Sequence, residues 1–153
     1  LDGKILNKKK PSSEILLHSW IYRNHKDIGA VVHSHSKWAS ILSCMRINIP
    51  AFHYMVAEFG GSDIKCSKYA TFGSEQLSKY VNKVLHNRKG CLIANHGQVT
   101  IADTLEEAID LSVALEKLSE QYYFLIISRK AKLLSDEEMC KIVKLFKDYK
   151  VKH

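Results

Sequence analysis

Two histidines separated by one residue close the run Ala30-Val31-Val32-His33-Ser34-His35. The apolar residues before them read as a buried strand. On an extended chain residues i and i+2 share a face, which puts His33 and His35 roughly 6 to 7 Å apart, near enough to grip one ion. A second strand-like run, Cys91 to Asn95, ends in His96 and is followed at once by Gly97. Imidazoles at the tips of two strands from distant parts of the chain suggest a metal site assembled by folding. Three neutral nitrogens, an acid and an open position are what a catalytic divalent ion such as Zn²⁺ requires, and Glu14 is an available acid. An isolated His-x-His is also a common chance pattern, so the convergence of all three histidines carries the idea.

The elements that must position these groups follow from the pattern around them. Pro11-Ser12-Ser13-Glu14 is a helix start, with serine as cap and an acid in the first turn, and Ile15, Leu16, Trp20 and Ile21 continue it to about Lys26. Glu14 therefore has a second reading, as an acid that complements the helix dipole. Ser12 and Ser13 read as caps, at a helix end that can also attract anions. A short helix is expected from Ser36 to Cys44, closed near Arg46 and Asn48. Tyr54 follows in the Pro50-Ala51-Phe52-His53-Tyr54 segment, where its hydroxyl could donate a proton or simply pack; His53 reads as structural. Ile64 to Cys66 is a possible short strand.

Leu77, Tyr80, Val81, Val84 and Leu85 form one stripe of a helix from Ser74 to about His86. The His96 strand is expected to turn at Gly97 and pair with Gln98 to Ala102. Thr104 with Glu107 and Ser135 with Glu138 are capping boxes that open two further helices, one reaching about Ser128 and one carrying Met139, Ile142, Val143 and Phe146 inward. Leu1 to Leu6, with Asp2-Gly3, reads as part of a hairpin. Intermixed strands and helices imply an α/β layered domain.

Bulk properties narrow the function. The chain has 153 residues, 46% of them hydrophobic, which suits one core and a single domain over residues 1–153. No run of eighteen apolar residues suggests a membrane span and no signal-peptide pattern is visible, so a cytoplasmic protein is expected. Cys44, Cys66, Cys91 and Cys140 form no C-x-x-C pair and read as reduced thiols. A net charge of +7 arises from 23 Lys and Arg against 16 Asp and Glu. The basic residues lie in short separate groups without regular aromatic interleaving, which speaks against nucleic acid and leaves an acidic surface or a phosphorylated small molecule as a partner, with most of the lysines read as a solvated face.

Seven ordered blocks carry a family likeness: Pro11 to Glu14, Ala30 to His35, Ile49 to Met55, Tyr69 to Ser74, Asn95 to Gly97, Leu105 to Ala108 and Leu134 to Glu138. Together they resemble the zinc-dependent class II aldolase and adducin family, and within it most closely members that cleave L-fuculose 1-phosphate. The resemblance implies a three-layer α/β/α domain with a central, mainly antiparallel sheet. It also implies one Zn²⁺ per subunit, no organic cofactor, and a homotetramer with active sites at subunit interfaces. His33, His35 and His96 match the zinc ligands. Glu14 matches the acid that both ligates the metal and acts as base, and Tyr54 the tyrosine that protonates the aldehyde oxygen from an adjacent subunit. Ser12 and Ser13 match part of the phosphate pocket. Phe72, Phe146 and Tyr149 match the aromatic wall and C-terminal tail on the aldehyde side, with a one-residue gap before Leu134.

The implied reaction is reversible cleavage of L-fuculose 1-phosphate, or a related 1-phosphoketose, to dihydroxyacetone phosphate and an aldehyde such as L-lactaldehyde, through a zinc-stabilised enediolate. Alternatives on the same scaffold are a pentulose-phosphate 4-epimerase, a methylthioribulose-1-phosphate dehydratase, and a non-catalytic module like the adducin head. The family's N-terminal phosphate loop of Gly-Asn-x-Ser type has no match here, so the domain is expected to be short at its N-terminus.

Overall fold

The computed structural model describes residues 10–151, with side chains described to residue 148. The expected N-terminal hairpin and Tyr149 lie outside the described residues. Along the chain come helix α1 (Ile15–Asn24), strand β1 (Ala30–Ser34), α2 (Lys37–Met45), a 3-10 helix (Tyr54–Phe59), α3 (Glu75–Leu85), β2 (Gly90–Ile93), β3 (Gly97–Ala102), α4 (Leu105–Ser128) and α5 (Asp136–Val151).

The three strands form an antiparallel sheet in the order β1-β3-β2, so the strand opening beside His96 is central and His33 lies across from Val99. Alternation along the strands sorts their side chains into two layers. Val31, Val99, Ile101, Cys91 and Ile93 pack on Leu17 and Ile21 of α1 and on Leu77, Val81 and Leu85 of α3. Ala30, Leu92 and Ala102 face the other way, toward Leu42 of α2 and Leu111, Leu115 and Leu118 of α4. Helices thus cover both faces of the sheet, the three-layer α/β/α arrangement expected from the chain's resemblance.

The stripe read on α3 is real: Leu77, Val81 and Leu85 are fully buried, and Ser74 caps the helix by accepting the Leu77 N–H at 3.1 Å. Thr104 and Ser135 cap α4 and α5 through the N–H groups of Glu107 and Glu138, as the capping boxes require.

Three local expectations change. Gly97 is not the hairpin turn: it pairs with Ile93, and Ala94 to His96 make the turn, with Asn95 taking the left-handed conformation at φ 53°. Asparagine tolerates that conformation better than most residues, which frees glycine for another task. Helix α1 starts at Ile15, so Glu14 is its cap residue and not a first-turn acid. Ile64 and Cys66 make only isolated bridges, to Ile49 and Leu92.

Among the described residues no helix is long and apolar enough to cross a membrane. Burial pushes the Cys66 thiol up to about 11 and raises that of Cys91 further still, so neither is a reactive thiolate near neutral pH.

Candidate metal centre and sugar-phosphate cleft

Strand parity places His33 on the same face as Val31, the α1 side of the sheet. Its Nδ1–H donates to the carbonyl oxygen of Gln98 at 2.8 Å. A carbonyl can only accept, so this bond fixes the tautomer and leaves the Nε2 lone pair of His33 as its ligand atom. His35 lies one residue beyond β1, and its Nε2 stands 3.1 Å from that of His33. His96, at the β2–β3 turn, completes a triangle of rings whose centroids are 4.8 to 4.9 Å apart. One ligand nitrogen from each ring lies within 4.8 Å of the others.

This donor set suits a divalent ion. Burial, the largest influence, lowers the proton affinity of both His33 and His96, with Glu14 acting in the opposite sense. For these two rings burial favours the neutral form, the one that ligates. Neutral imidazoles are good ligands for zinc and leave its positive charge available to a fourth ligand or a substrate oxygen.

Gly97 makes the triangle possible. A Cβ there would overlap the carbonyl oxygen of Ser34 and meet the His35 ring at 3.1 Å. Both neighbours belong to the segment that carries the histidines, and the Ser34 oxygen is backbone that cannot swing aside. Gly97→Ala is expected to destabilise the chain by about 1–3 kcal/mol, the usual cost of overpacking, and to weaken zinc binding in a calorimetric titration.

The histidines open into a cleft of about 580 Å³. Its opposite side is the approach to α1, with Ser12, Ser13 and Glu14. Glu14 is only 5% exposed, although its side chain makes no capping bond. The Ser12 hydroxyl accepts the Glu14 N–H at 3.2 Å in the cap's place, and the carboxylate is free to accept the N–H of Gly73 at 3.3 Å. The acid thus faces the cleft. It stands outside the group of three mutually close ligand atoms.

Phe72, 67% exposed, lines the cleft together with Tyr69 and Ala70. Tyr54 and Phe146 do not line it within one chain. Tyr54 opens the 3-10 helix, stacks on His53 at 4.9 Å and is 52% exposed. His53 caps that helix by accepting the Met55 N–H at 3.2 Å. Phe146 of α5 packs half-buried against the core on the α4 side of the sheet.

Two neighbours of the site residues escape a reading of the sequence. His18 sits one turn beyond Glu14 on α1, its N–H donating to the Glu14 carbonyl oxygen at 3.2 Å. Burial lowers its proton affinity first, and His33 lowers it further. The i+4 spacing from Glu14 was the available signal. Asn95 lines the cleft beside His96, and its Oδ1 accepts from Nε of Arg46 at 2.7 Å. No local pattern marks that pair, which is 49 residues apart.

The comparisons with known proteins agree with this geometry. Residues 1–123 match the model of the class II aldolase and adducin N-terminal domain. The chain is 41% identical over 148 residues to a 5-methylthioribulose-1-phosphate/5-deoxyribulose-1-phosphate aldolase of Rhodospirillum rubrum, covering 97% of this chain and 67% of the relative. It is 40% identical over 149 residues to the L-fuculose phosphate aldolase of Escherichia coli K12, covering 97% and 69%. A solved L-fuculose 1-phosphate aldolase superposes with a TM-score of 0.89 at 33% identity, over 94% of this chain and 67% of that one. With the family's model matching residues 1–123 and relatives named as aldolases in both sequence and structure, the chain belongs to the class II aldolase and adducin family.

Proposed function

We propose that the chain reversibly cleaves a 1-phosphoketose to dihydroxyacetone phosphate and a small aldehyde, with a zinc ion held by His33, His35 and His96. The observation that carries this reading is the convergence of three ring nitrogens with a buried carboxylate across one cleft. A bound divalent ion supplies Lewis acidity toward the substrate's carbonyl and hydroxyl oxygens. The protein supplies the rest. Ser12 and Ser13 offer hydroxyl and backbone donors to the phosphate at the approach to α1, where free N–H groups favour an anion. Glu14, facing the rings across the cleft, takes the carbon-bound proton in the direction of synthesis and returns it to the three-carbon fragment in cleavage. Tyr54 gives a proton to the aldehyde oxygen in synthesis and accepts it from the substrate hydroxyl in cleavage.

Tyr54 can serve the cleft only from a second copy of the chain, which accords with its exposure. A homotetramer with sites at subunit interfaces meets that need, with Tyr54, Phe146 and Tyr149 of one copy closing the aldehyde side of the next. Exposed Leu105, Ile109 and Val113, four residues apart along α4, supply apolar surface for such contacts. Free cysteines and a phosphorylated substrate suit a cytoplasmic setting.

The substrate class is a 1-phosphoketose whose far end is apolar. Phe72 and Tyr69 give the cleft an exposed aromatic wall, and L-fuculose, 5-deoxyribulose and methylthioribulose 1-phosphates all end in a methyl or methylthio group. The test offers these three, and ribulose 5-phosphate, to the zinc-loaded chain and measures dihydroxyacetone phosphate. Release from at least one of the 1-phosphates and none from ribulose 5-phosphate is expected. Epimerised ribulose 5-phosphate, or a dehydrated methylthioribulose phosphate without carbon–carbon cleavage, would refute the proposal.

A further inference from the structure

A part-buried polar chain behind the histidines ties them to α4. Glu116 of α4 reaches the start of α2 from 78 residues away, and its Oε1 accepts the Trp38 N–H at 2.8 Å. Its Oε2 accepts the Ala39 N–H at 2.9 Å and the Ser36 hydroxyl at 2.6 Å. Ser36, the cap residue of α2, makes no capping bond of its own, so the carboxylate of another helix performs that task. The Ser36 oxygen in turn accepts from Nε2 of Gln98 at 2.7 Å, and the same amide donates to the Ser112 carbonyl at 3.1 Å. Gln98 is 1% exposed, and its main-chain oxygen is the one that receives Nδ1–H of His33.

We infer that Glu116 is a positioning residue for the metal centre, acting through Ser36 and Gln98 on His33 and through the start of α2 on His35. This rests on the proposal that the three histidines hold a metal ion. His35 lies between the last residue of β1 and the cap of α2, outside the strand's ladder. Its place is therefore set by where α2 begins, and three donors converging on Glu116 set that. On the same face of the sheet, the locked Gln98 side chain holds the β3 backbone whose carbonyl orients the His33 ring. Both oxygens of Glu116 accept, one of them twice. A glutamine in its place keeps one acceptor oxygen and turns an NH₂ group toward donors, so at least one of the three bonds is lost.

The test is zinc affinity of the full chain, measured by competition with a chelator, alongside thermal melting without metal. Glu116→Gln is expected to bind zinc about 10- to 100-fold more weakly than wild type, the range for groups that orient metal ligands. Ser36→Ala keeps the two backbone bonds to α2 but severs the link to Gln98. It is expected to lose several-fold, and it decides the matter if Glu116→Gln does not fold. Leu85→Ala, a fully buried change at the far end of α3 in the opposite layer, separates positioning from general weakening: it should lower the melting temperature and leave zinc affinity unchanged. Wild-type affinity in Glu116→Gln and Ser36→Ala, or an equal loss in Leu85→Ala, overturns the inference alone. A wild-type chain that binds no zinc overturns the metal-site proposal as well.

Discussion

Glu14→Gln is expected to cut turnover by about 10²- to 10⁴-fold, the range for losing a positioned general base, while KM changes little. The amide is the same size as the carboxylate, and its oxygen can still accept the Gly73 N–H, so the approach to α1 should stay in place. What it cannot do is take a proton from carbon. Zinc should still bind through the three imidazoles, since Glu14 stands apart from their close triangle. Steady-state kinetics and a zinc titration on the same sample check this. Wild-type turnover in the Glu14→Gln variant would remove Glu14 from the chemistry and return it to the role of an acid at a helix start.

Alanine at His33 or His96 is expected to abolish cleavage and zinc-dependent stabilisation together. An ion that binds only the folded chain adds about 4 kcal/mol at a thousand times its dissociation constant. For a chain of this size that corresponds to a rise in melting temperature of roughly 8–16 °C. Wild-type protein should show the rise when zinc is added and lose it again with a chelator, with activity following the same course. Neither alanine variant should show it. Two imidazoles bind far more weakly than three, and the substitutions, one on β1 and one in the β2–β3 turn, leave the strand pairing through β3 intact. A full zinc-induced shift in either variant would mean that the stabilising ion sits elsewhere.

The parts of this site that repeat a local pattern were legible in the sequence. His33 and His35 stand out because strand parity puts i and i+2 on one face, and α3 and the caps of α4 and α5 follow from periodicity and capping boxes. Glu14 was visible only as an ambiguous acid. The cap position it takes, with Ser12 accepting its N–H, depends on backbone geometry and on Gly73, 59 residues away. Gly97 reads as a turn because it stands between two strand-like runs, whereas the need it meets is close approach to Ser34 and His35. Glu116 and Gln98 gave no signal at all. Their partners lie some 60 to 80 residues away, and no local pattern encodes a contact that exists only after two layers have closed on the sheet. Tyr54 is a different case: the role proposed for it needs a second copy of the chain, and within one chain it is exposed and does not line the cleft.

The most direct test of the whole account is a zinc-edge anomalous difference map from crystals of the full chain grown with zinc. One peak is expected, about 2.0–2.1 Å from a ring nitrogen of each of His33, His35 and His96, facing Glu14 across the cleft. A map without density between those rings, or with its only strong peak at another place on the surface, would contradict it.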